Sequence, residues 1–281
     1  MINILTIDVE DYFHVLGLSS VIKKSEWEDC PQRVYGNTLR LLDILEASGV
    51  KATFYVLGWV AERRPELVDE MLRRGHEIAS HGYSHAPIYE QTREEFHADL
   101  VRSKEILEGI SGCKVIGYRA PSFSITERTL WALDVLIEEG FEYDSSIYPI
   151  RYDRYGISSA ERFPHLIHRG KRSIWEFPPS TLRFLGRNLP VAGGGYFRLY
   201  PYRITAGFIR RMNRKGYPVL VYLHPWEIDP AQPRFKPRFR DRFRHYVNLS
   251  KTEGKLIRLL KEFRFAGISH FIKCMGGGSL R

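Results

Sequence analysis

Three carboxylic acids, Asp8, Glu10 and Asp11, lie within four residues at the end of an apolar stretch near the start of the chain. Carboxylates crowded at the end of a buried strand repel one another, so they need a cation, a network of donors or a shared proton. Further along, His81 and His85 enclose the sequence Gly-Tyr-Ser, whose glycine argues against a helix. Two imidazoles and one carboxylate can hold a divalent metal and leave positions open for water and substrate. Together these residues predict a metal centre, although such acids taken alone also occur in solvated loops.

Three later apolar runs also end in residues that could take part in catalysis, namely Arg119, Asp144 and His224. Histidine has an unperturbed pKa of about 6.5, so His224 suits the protonation of a leaving amine. A metal that polarises a carbonyl, a carboxylate that accepts a proton from water and such an acid make up a mononuclear metallohydrolase. The simpler interpretations stay open: Arg119 in a surface ion pair, His224 in the core and Asp144 as a cap between strand and loop.

A regular alternation of strands and helices must bring these residues together. Apolar runs of strand length occur at 4–11, 51–56, 77–80, 115–118, 141–144 and 218–223. Helical patterns begin near Asn37, Pro65, Thr92, Ser124, Pro201 and Ser250, several of them with the residues of a capping box. This alternation is typical of a parallel α/β fold, in which functional side chains gather at the carboxyl ends of the strands.

A long basic and aromatic insert interrupts the alternation, with one plausible strand at 173–177. The glycines at 193–195 lack the spacing of a nucleotide-binding loop and indicate a mobile or tightly turned wall of a cleft. We interpret the chain as a single domain over residues 1–275, in which residues 145–200 form the insert and cleft wall. Residues 276–281 are predicted to be a flexible tail.

Two segments near the end of the chain lie outside this alternation. Residues 234–246 are dense in Arg and Phe, a combination that can hold single-stranded nucleic acid. No nucleic-acid-binding module accompanies them, and Pro233 and Pro237 favour an irregular surface segment, so no nucleic-acid partner is predicted. Residues 268–272 are predicted to form a closing strand.

Composition narrows the class of protein. The 281 residues include 42 Lys and Arg against 33 Asp and Glu, a net charge of +9, and 43% are hydrophobic, which suffices for a substantial core. The three cysteines are scattered without a CxxC pair, which fits a reducing compartment. Acids appear by residue 8, and no run approaches the ~18 apolar residues needed to cross a bilayer. We therefore predict a soluble, cytoplasmic protein without a signal peptide or membrane span.

Four segments resemble the polysaccharide deacetylase family, also called the NodB homology or carbohydrate esterase 4 family. They read Thr-Ile-Asp-Val-Glu-Asp at 6–11, Ser-His-Gly-Tyr-Ser-His at 80–85, Arg-Ala-Pro-Ser-Phe-Ser at 119–124 and Leu-His-Pro at 223–225. Segments 143–149, 193–198 and 224–230 are similar to the branch associated with bacterial exopolysaccharide and exosortase gene clusters. The resemblance implies a distorted (β/α) barrel of the NodB homology type, with the long insert before the last strands.

The resemblance also implies catalytic roles. Asp8 matches the family's catalytic base, Arg119 the residue that holds the base, and His224 the catalytic acid. Asp144 is similar to the acid that orients this histidine. Trp226 and Glu227, which follow His224, are interpreted as packing and supporting groups.

His81 and His85 match the family's two metal-binding histidines, whereas the family motif that supplies the third ligand is matched less directly. The usual adjacent Asp-Asp of the first motif is replaced by Asp8-Val9-Glu10-Asp11. In an extended segment Glu10 points to the same side as Asp8, and Asp11 points away unless the chain turns. We therefore choose Glu10, with Asp11 as the alternative. Zinc is the first choice of metal, and iron, cobalt or nickel suit the same ligands.

The implied reaction is metal-dependent hydrolysis of the N-acetyl group on an amino sugar, which releases acetate and leaves a free amine. The expected partner is an N-acetylated polysaccharide or a lipid-linked oligosaccharide precursor. Two alternatives remain: a hydrolase of small cyclic amides on the same scaffold, and a glycan-binding pseudoenzyme. The intact Asp8 and His224 argue against the pseudoenzyme.

Overall fold

The computed structural model describes residues 1–152 and 155–276, in which strands and helices alternate as expected for an α/β fold. The strands are β1 (Ile2–Val9), β2 (Thr53–Val56), β3 (Glu77–Ser80), β4 (Gly117–Tyr118), β5 (Tyr143–Asp144), β6 (His165–Arg169), β7 (Arg172–Glu176), β8 (Thr181–Phe184), β9 (Arg187–Pro190), β10 (Leu220–Leu223) and β11 (Arg264–Ala266). The helices are α1 (Val34–Ala47), α2 (Gly58–Arg63), α3 (Pro65–Arg73), α4 (Arg93–Ser111), α5 (Ala132–Glu138), α6 (Gly194–Leu199), α7 (Tyr202–Arg214), α8 (Phe239–Tyr246), α9 (Leu249–Glu262) and α10 (Ile268–Gly276).

The main sheet runs in the order β10-β1-β2-β3-β4-β5-β7-β6, and β11 also pairs with β1. All of these pairs are parallel except β6 with β7. The edge strand β10 contacts the segment that follows β7, since the Leu220 N–H donates to Ser180 Oγ at 2.8 Å. The predicted parallel α/β fold is confirmed.

Side chains of β1 alternate between two apolar clusters. Leu5, Ile7 and Val9 pack in the large core beneath the helices, whereas Ile4 belongs to a smaller cluster on the other face of the sheet. Because side chains alternate along a strand, Asp8 also points to that other face. The alternation of one strand therefore separates the residues that build the core from those that face the site.

Two predicted helix boundaries are wrong. Helix α1 begins at Val34 rather than after Asn37, because the Asp11 carboxylate accepts the backbone N–H groups of Arg33 and Val34. Helix α9 begins after Asn248, so the predicted cap Ser250 lies inside the helix.

The insert and the end of the chain also differ from the prediction. In its described residues the insert contains four strands, β6 to β9, of which β8 and β9 form a separate hairpin. Residues 268–272 lie in α10, and the strand that pairs with β1 is the preceding β11. The predicted tail begins at the last residue of α10 and otherwise lies outside the described residues. The single-domain assignment stays a prediction. Among the described residues, no helix has both the length and the apolar character needed to cross a bilayer.

Candidate active site

Four parallel strands of the main sheet carry predicted residues at or just after their carboxyl ends. Asp8 lies on β1, His81 follows β3, Arg119 follows β4 and His224 follows β10. Because these strands run parallel in one sheet, with β2 between β1 and β3, their carboxyl ends lie on the same side of the sheet. The cleft there has a volume of about 570 Å³ and is lined by Asp8, Glu10, His81, His85 and His224 among others.

Arg119 fixes the Asp8 carboxylate from below. Its Nη1 donates to Asp8 Oδ1 at 2.5 Å and to Thr6 Oγ1 at 2.9 Å, while its Nη2 donates to Ser145 Oγ at 2.7 Å. The guanidinium is completely buried and lies 4.1 Å from the centre of the Tyr55 ring. Burial alone would lower the pKa of Arg119. The nearby Asp8 carboxylate outweighs burial, and the pKa of Arg119 is raised. A buried cation with this many partners holds one carboxylate oxygen in a defined place.

Glu10, His81 and His85 form a compact group of potential ligand atoms that all lie within 4.8 Å of one another. Glu10 Oε2 is buried and lies 2.5 Å from His85 Nε2. His81 Nδ1 donates to the carbonyl oxygen of Arg119 at 2.7 Å, which leaves its Nε2 lone pair free. Burial lowers the pKa of His81 to about 4, so the imidazole is neutral, as a metal ligand must be.

These observations fit a divalent cation. A buried carboxylate oxygen, a neutral imidazole with an open lone pair and a second imidazole converge on one point. Burial alone would raise the pKa of Glu10, but His85, His224 and His81 outweigh it and keep the pKa well below its usual range. The donor set is therefore of the kind that binds transition metals.

The short loop between the two histidines is held by a residue that sequence reasoning missed. Asp99 on α4 accepts the backbone N–H groups of Tyr83 and Ser84 at 2.7 and 3.0 Å. Gly82 has a φ of +71°, and a Cβ there would lie 2.9 Å from the Asp99 carboxylate. The glycine and the remote acid together turn the chain so that His85 faces His81. The position of Asp99, 14 residues after His85, gives no local signal of this role.

The structure separates the two candidates for a third ligand. Glu10 faces the histidines, and its Oε1 accepts the indole N–H of Trp226 at 3.2 Å. Asp11 instead accepts the backbone N–H groups of Tyr12 and Val34 at 2.9 and 2.8 Å, besides that of Arg33. Asp11 is thereby engaged in holding the start of α1, and Glu10 is the acid placed beside the imidazoles.

His224 is oriented by Glu227 and not by Asp144, so the assignment of Asp144 is corrected. His224 Nδ1 lies 2.5 Å from Glu227 Oε1, three residues further along a short 3-10 helix. This leaves His224 Nε2 facing the cleft, 3.7 Å from Asp8 Oδ2 and 3.6 Å from Glu10 Oε1. Burial disfavours a charged His224, but Glu10, Glu227 and Asp8 outweigh it and raise its pKa to about 9.

Glu227 is itself held by a buried cation that the sequence did not reveal. Arg198 Nε donates to Glu227 Oε2 at 2.6 Å, and both side chains are almost fully buried. The other guanidinium nitrogens donate to the carbonyl oxygens of Arg244 and His245, at the last turn of α8, at 2.8 and 2.7 Å. Arg198 thus connects the histidine to the outer wall of the cleft.

Asp144 belongs to a different buried pair. Its carboxylate accepts the hydroxyl of Ser146 at 2.5 Å, and the neighbouring Glu176 accepts the backbone N–H of Ile147 at 3.1 Å. Burial, reinforced by Asp144, raises the pKa of Glu176 well above its usual range. Burial also raises the pKa of Asp144 to about 6. The two acids share this space as a partly protonated pair beneath the site.

The walls of the cleft come from the glycine segment and from the Arg/Phe segment. Gly193 and Gly194 pack directly on the Tyr222 ring, since a Cβ on Gly193 would lie 2.0 Å from it. The predicted tightly turned wall therefore has a steric reason. Residues 239–246 form the regular helix α8 and line the cleft, so the predicted irregular segment is wrong there.

Comparison with known proteins gives two family matches. Residues 26–137 match the family described as polysaccharide deacetylase, and residues 145–273 match a domain of unknown function, DUF3473. The polysaccharide deacetylase match includes His81, His85 and Arg119, whereas Asp8 and His224 lie outside it.

Two curated proteins are similar in sequence to parts of this chain. A peptidoglycan-N-acetylglucosamine deacetylase from Bacillus cereus is 35% identical over 98 residues, which cover 34% of this chain and 36% of that protein. A peptidoglycan deacetylase from Helicobacter pylori is 25% identical over 139 residues, 50% of this chain and 46% of that protein. The matches therefore span less than half the length of either relative.

The likeness in fold extends over almost the whole chain. The crystal structure of a candidate polysaccharide deacetylase from Mycobacterium smegmatis superposes with a TM-score of 0.64 and 21% identity. The superposition covers 96% of this chain and 88% of that one, and it bears on the fold alone.

Proposed function

We propose that this chain, which belongs to the polysaccharide deacetylase family, hydrolyses N-acetyl groups on the amino sugars of a glycan. The reaction would release acetate and leave a free amine on the sugar. One observation carries the proposal: Asp8, His224 and the ligand group Glu10, His81 and His85 line the same cleft.

Glu10, His81 and His85 would hold a divalent metal. Such an ion supplies Lewis-acid polarisation of the amide carbonyl and of a water molecule. Two imidazoles with one carboxylate favour zinc as the first candidate, and iron, cobalt or nickel suit the same donors.

Asp8 would accept the proton of the attacking water. Arg119 occupies its Oδ1, so Oδ2 is the oxygen that faces the cleft and His224. Because the guanidinium is fixed by Thr6 and Ser145, the base cannot swing away to another partner. A positioned base of this kind contributes roughly 10²- to 10⁴-fold to a rate.

His224 would protonate the departing nitrogen, because an amide anion is too basic to leave unprotonated. Its raised pKa keeps the imidazole charged at neutral pH, and the contact of Nδ1 with Glu227 directs Nε2 into the cleft. Trp226 stacks on the imidazole at 5.3 Å between ring centres, and its N–H holds Glu10. The proposed base and acid therefore lie side by side in the cleft, with Asp8 Oδ2 3.7 Å from His224 Nε2.

The proposed partner is an N-acetylated polysaccharide or its lipid-linked oligosaccharide precursor. The relatives from Bacillus cereus and Helicobacter pylori are named for action on peptidoglycan, which supports an N-acetylated glycan as the class of substrate. Aromatic side chains in the cleft wall, Tyr152, Tyr155 and Tyr196, offer flat surfaces for sugar rings.

Acetate release from N-acetylglucosamine oligomers tests the proposal. The protein should release acetate when loaded with zinc, lose this activity when a strong chelator removes the metal, and regain it when zinc is returned. Hydantoin-like cyclic amides are tested in parallel. Turnover of those amides without acetate release would overturn the proposal, as would full activity of a verified metal-free sample. Glycan binding without turnover by any metal form would identify a pseudoenzyme.

A further inference from the structure

We infer that the outer face of α8 is a membrane-contact surface that holds the mouth of the cleft against an anionic lipid bilayer. We define this outer face as Phe239 and Phe243 with the flanking Arg238, Arg240 and Arg242. The inference goes beyond the proposed function and does not rest on it, because it concerns attachment and not turnover.

The helix carries its apolar residues on the side that faces solvent. Phe239 is 82% exposed and Phe243 is 49% exposed, and their spacing of four residues places them on one stripe. Successive residues lie about 100° apart, so Asp241 and His245 lie on the opposite side. His245 is buried against the Trp226 ring, 4.4 Å between ring centres. An ordinary surface helix buries its apolar stripe and exposes its polar one, and α8 does the reverse.

Cations lie on both sides of the exposed aromatic stripe. At about 100° per residue, Arg240 lies on one side of the stripe and Arg242 on the other. Residues 234–246 contain six Lys and Arg and one acid, Asp241. A short basic helix with exposed Phe is the pattern of a segment that lies in the headgroup region of a bilayer. The cations meet anionic headgroups while the rings enter the boundary with the acyl chains.

This surface is firmly attached to the catalytic cleft. Arg198 donates to the carbonyl oxygens at the end of α8 and, through its Nε, to Glu227 beside His224. Phe239, Arg240 and Phe243 also line the cleft. A bilayer that takes up the two rings would therefore lie at the mouth of the cleft, and a glycan at the membrane surface would be within reach of the site.

Exposure distinguishes this surface from a simple sugar platform. Aromatic rings in the cleft wall pack on one another, as Tyr152 and Tyr155 do at 4.5 Å between ring centres. The Phe239 side chain is by contrast almost free of protein contact, since only 18% of its surface is covered. An apolar ring exposed to this extent gains most by entering an apolar medium.

Vesicle flotation of the whole protein tests the inference. We expect binding to phosphatidylcholine vesicles that contain phosphatidylglycerol, weaker binding as salt is added, and little binding to phosphatidylcholine alone. The variant Arg238→Gln/Arg240→Gln/Arg242→Gln should bind about 100-fold more weakly. The variant Phe239→Ser/Phe243→Ser should bind about tenfold more weakly.

Matched controls separate the helix from general charge and apolarity. Arg211→Gln/Arg214→Gln/Lys215→Gln removes three exposed cations at the end of α7, and Val21→Ser/Ile204→Ser removes two exposed apolar side chains. Both controls should bind like the unaltered protein. Circular dichroism and thermal unfolding check that every variant is folded.

Three results would overturn the inference. The first is absence of binding to the anionic vesicles, and the second is an equal loss in the control variants. The third is binding that ignores the two phenylalanines and is displaced by a soluble acidic polysaccharide, because the surface would then recognise an acidic glycan. Loss of vesicle binding with normal acetate release, or the reverse, distinguishes failure of this inference from failure of the proposed function.

Discussion

The floor of the cleft and the outer face of α8 are built on opposite principles. On the floor, Asp8 and Arg119 are buried, and the guanidinium donates to several oxygens at once. On the outer face, Phe239 and its neighbouring arginines are exposed. Arg198 lies between the two regions and contacts both. A buried polar network fixes geometry for chemistry, whereas an exposed amphipathic helix suits contact with something outside the molecule.

The largest expected effect comes from removing the proposed base, Asp8, from the floor of the cleft. Asp8→Asn keeps the size of the side chain but cannot accept a proton from water, so kcat should fall by about 10³-fold. Acetate release measures the change, and metal content checks that the ligand group is intact. Asp69→Asn, on the exposed side of α3, is the matched control and should keep full activity. A loss below tenfold in Asp8→Asn would remove this residue from the role of base.

The second largest effect should come from Glu227, which orients the proposed acid, His224. Glu227→Gln removes the charge beside His224 and should lower kcat by roughly 10- to 100-fold, the usual cost of losing a supporting contact. Because Glu227 raises the pKa of His224, the variant should also lose activity at a lower pH on the alkaline side. The pH profile of kcat/KM measures this shift.

Asp144→Asn is the control for Glu227→Gln, since it also removes a buried carboxylate. We expect a smaller loss of kcat and an unshifted alkaline limb, because Asp144 contacts Ser146 and not His224. The opposite ranking of the two variants would restore the sequence-based assignment of Asp144.

A smaller effect on stability is expected beneath the floor. The raised pKa of Glu176 means that the folded protein holds a proton that the unfolded chain releases above about pH 4.5. The free energy of unfolding should therefore decrease as the pH rises towards the folded pKa, by up to about 1.4 kcal/mol per pH unit. Glu176→Gln removes this group, so its stability relative to the unaltered protein should increase with pH.

Urea unfolding of both proteins at several pH values between 5 and 8 measures the difference. A constant difference across that range would show that Glu176 ionises normally in the folded protein. The two buried carboxylates of Glu176 and Asp144 would then both be charged and would need a cation or further hydrogen-bond donors to stabilise them.

The smallest effect belongs to the outer face. Phe239→Ala should change the free energy of unfolding by less than about 0.5 kcal/mol, because the ring makes little contact with the rest of the protein. Thermal or urea unfolding in the absence of vesicles measures this change in the free energy of unfolding. A loss above about 1 kcal/mol would show that the ring packs in the free protein, and the contrast with the floor would weaken.

The amino-acid sequence by itself determined most of the floor. Alternation along β1 placed Asp8 on the face opposite Leu5 and Ile7, and the polar residues after the parallel strands met at one edge as predicted. The choice of Glu10 over Asp11 also followed from local geometry. These features depend on the period of a strand and on the polarity of parallel sheets, both of which are readable from a few neighbouring residues.

Only the tertiary structure decided which distant groups support the site. Asp144 contacts Ser146 and not His224, Asp11 caps a helix 23 residues away from it, and Arg198 bridges from α6 to the end of α8. Which side of α8 is buried was also not predictable from the sequence. The stacking of His245 on Trp226 defines that side. Such contacts depend on how separate elements pack, and packing is set by the whole chain and not by local spacing.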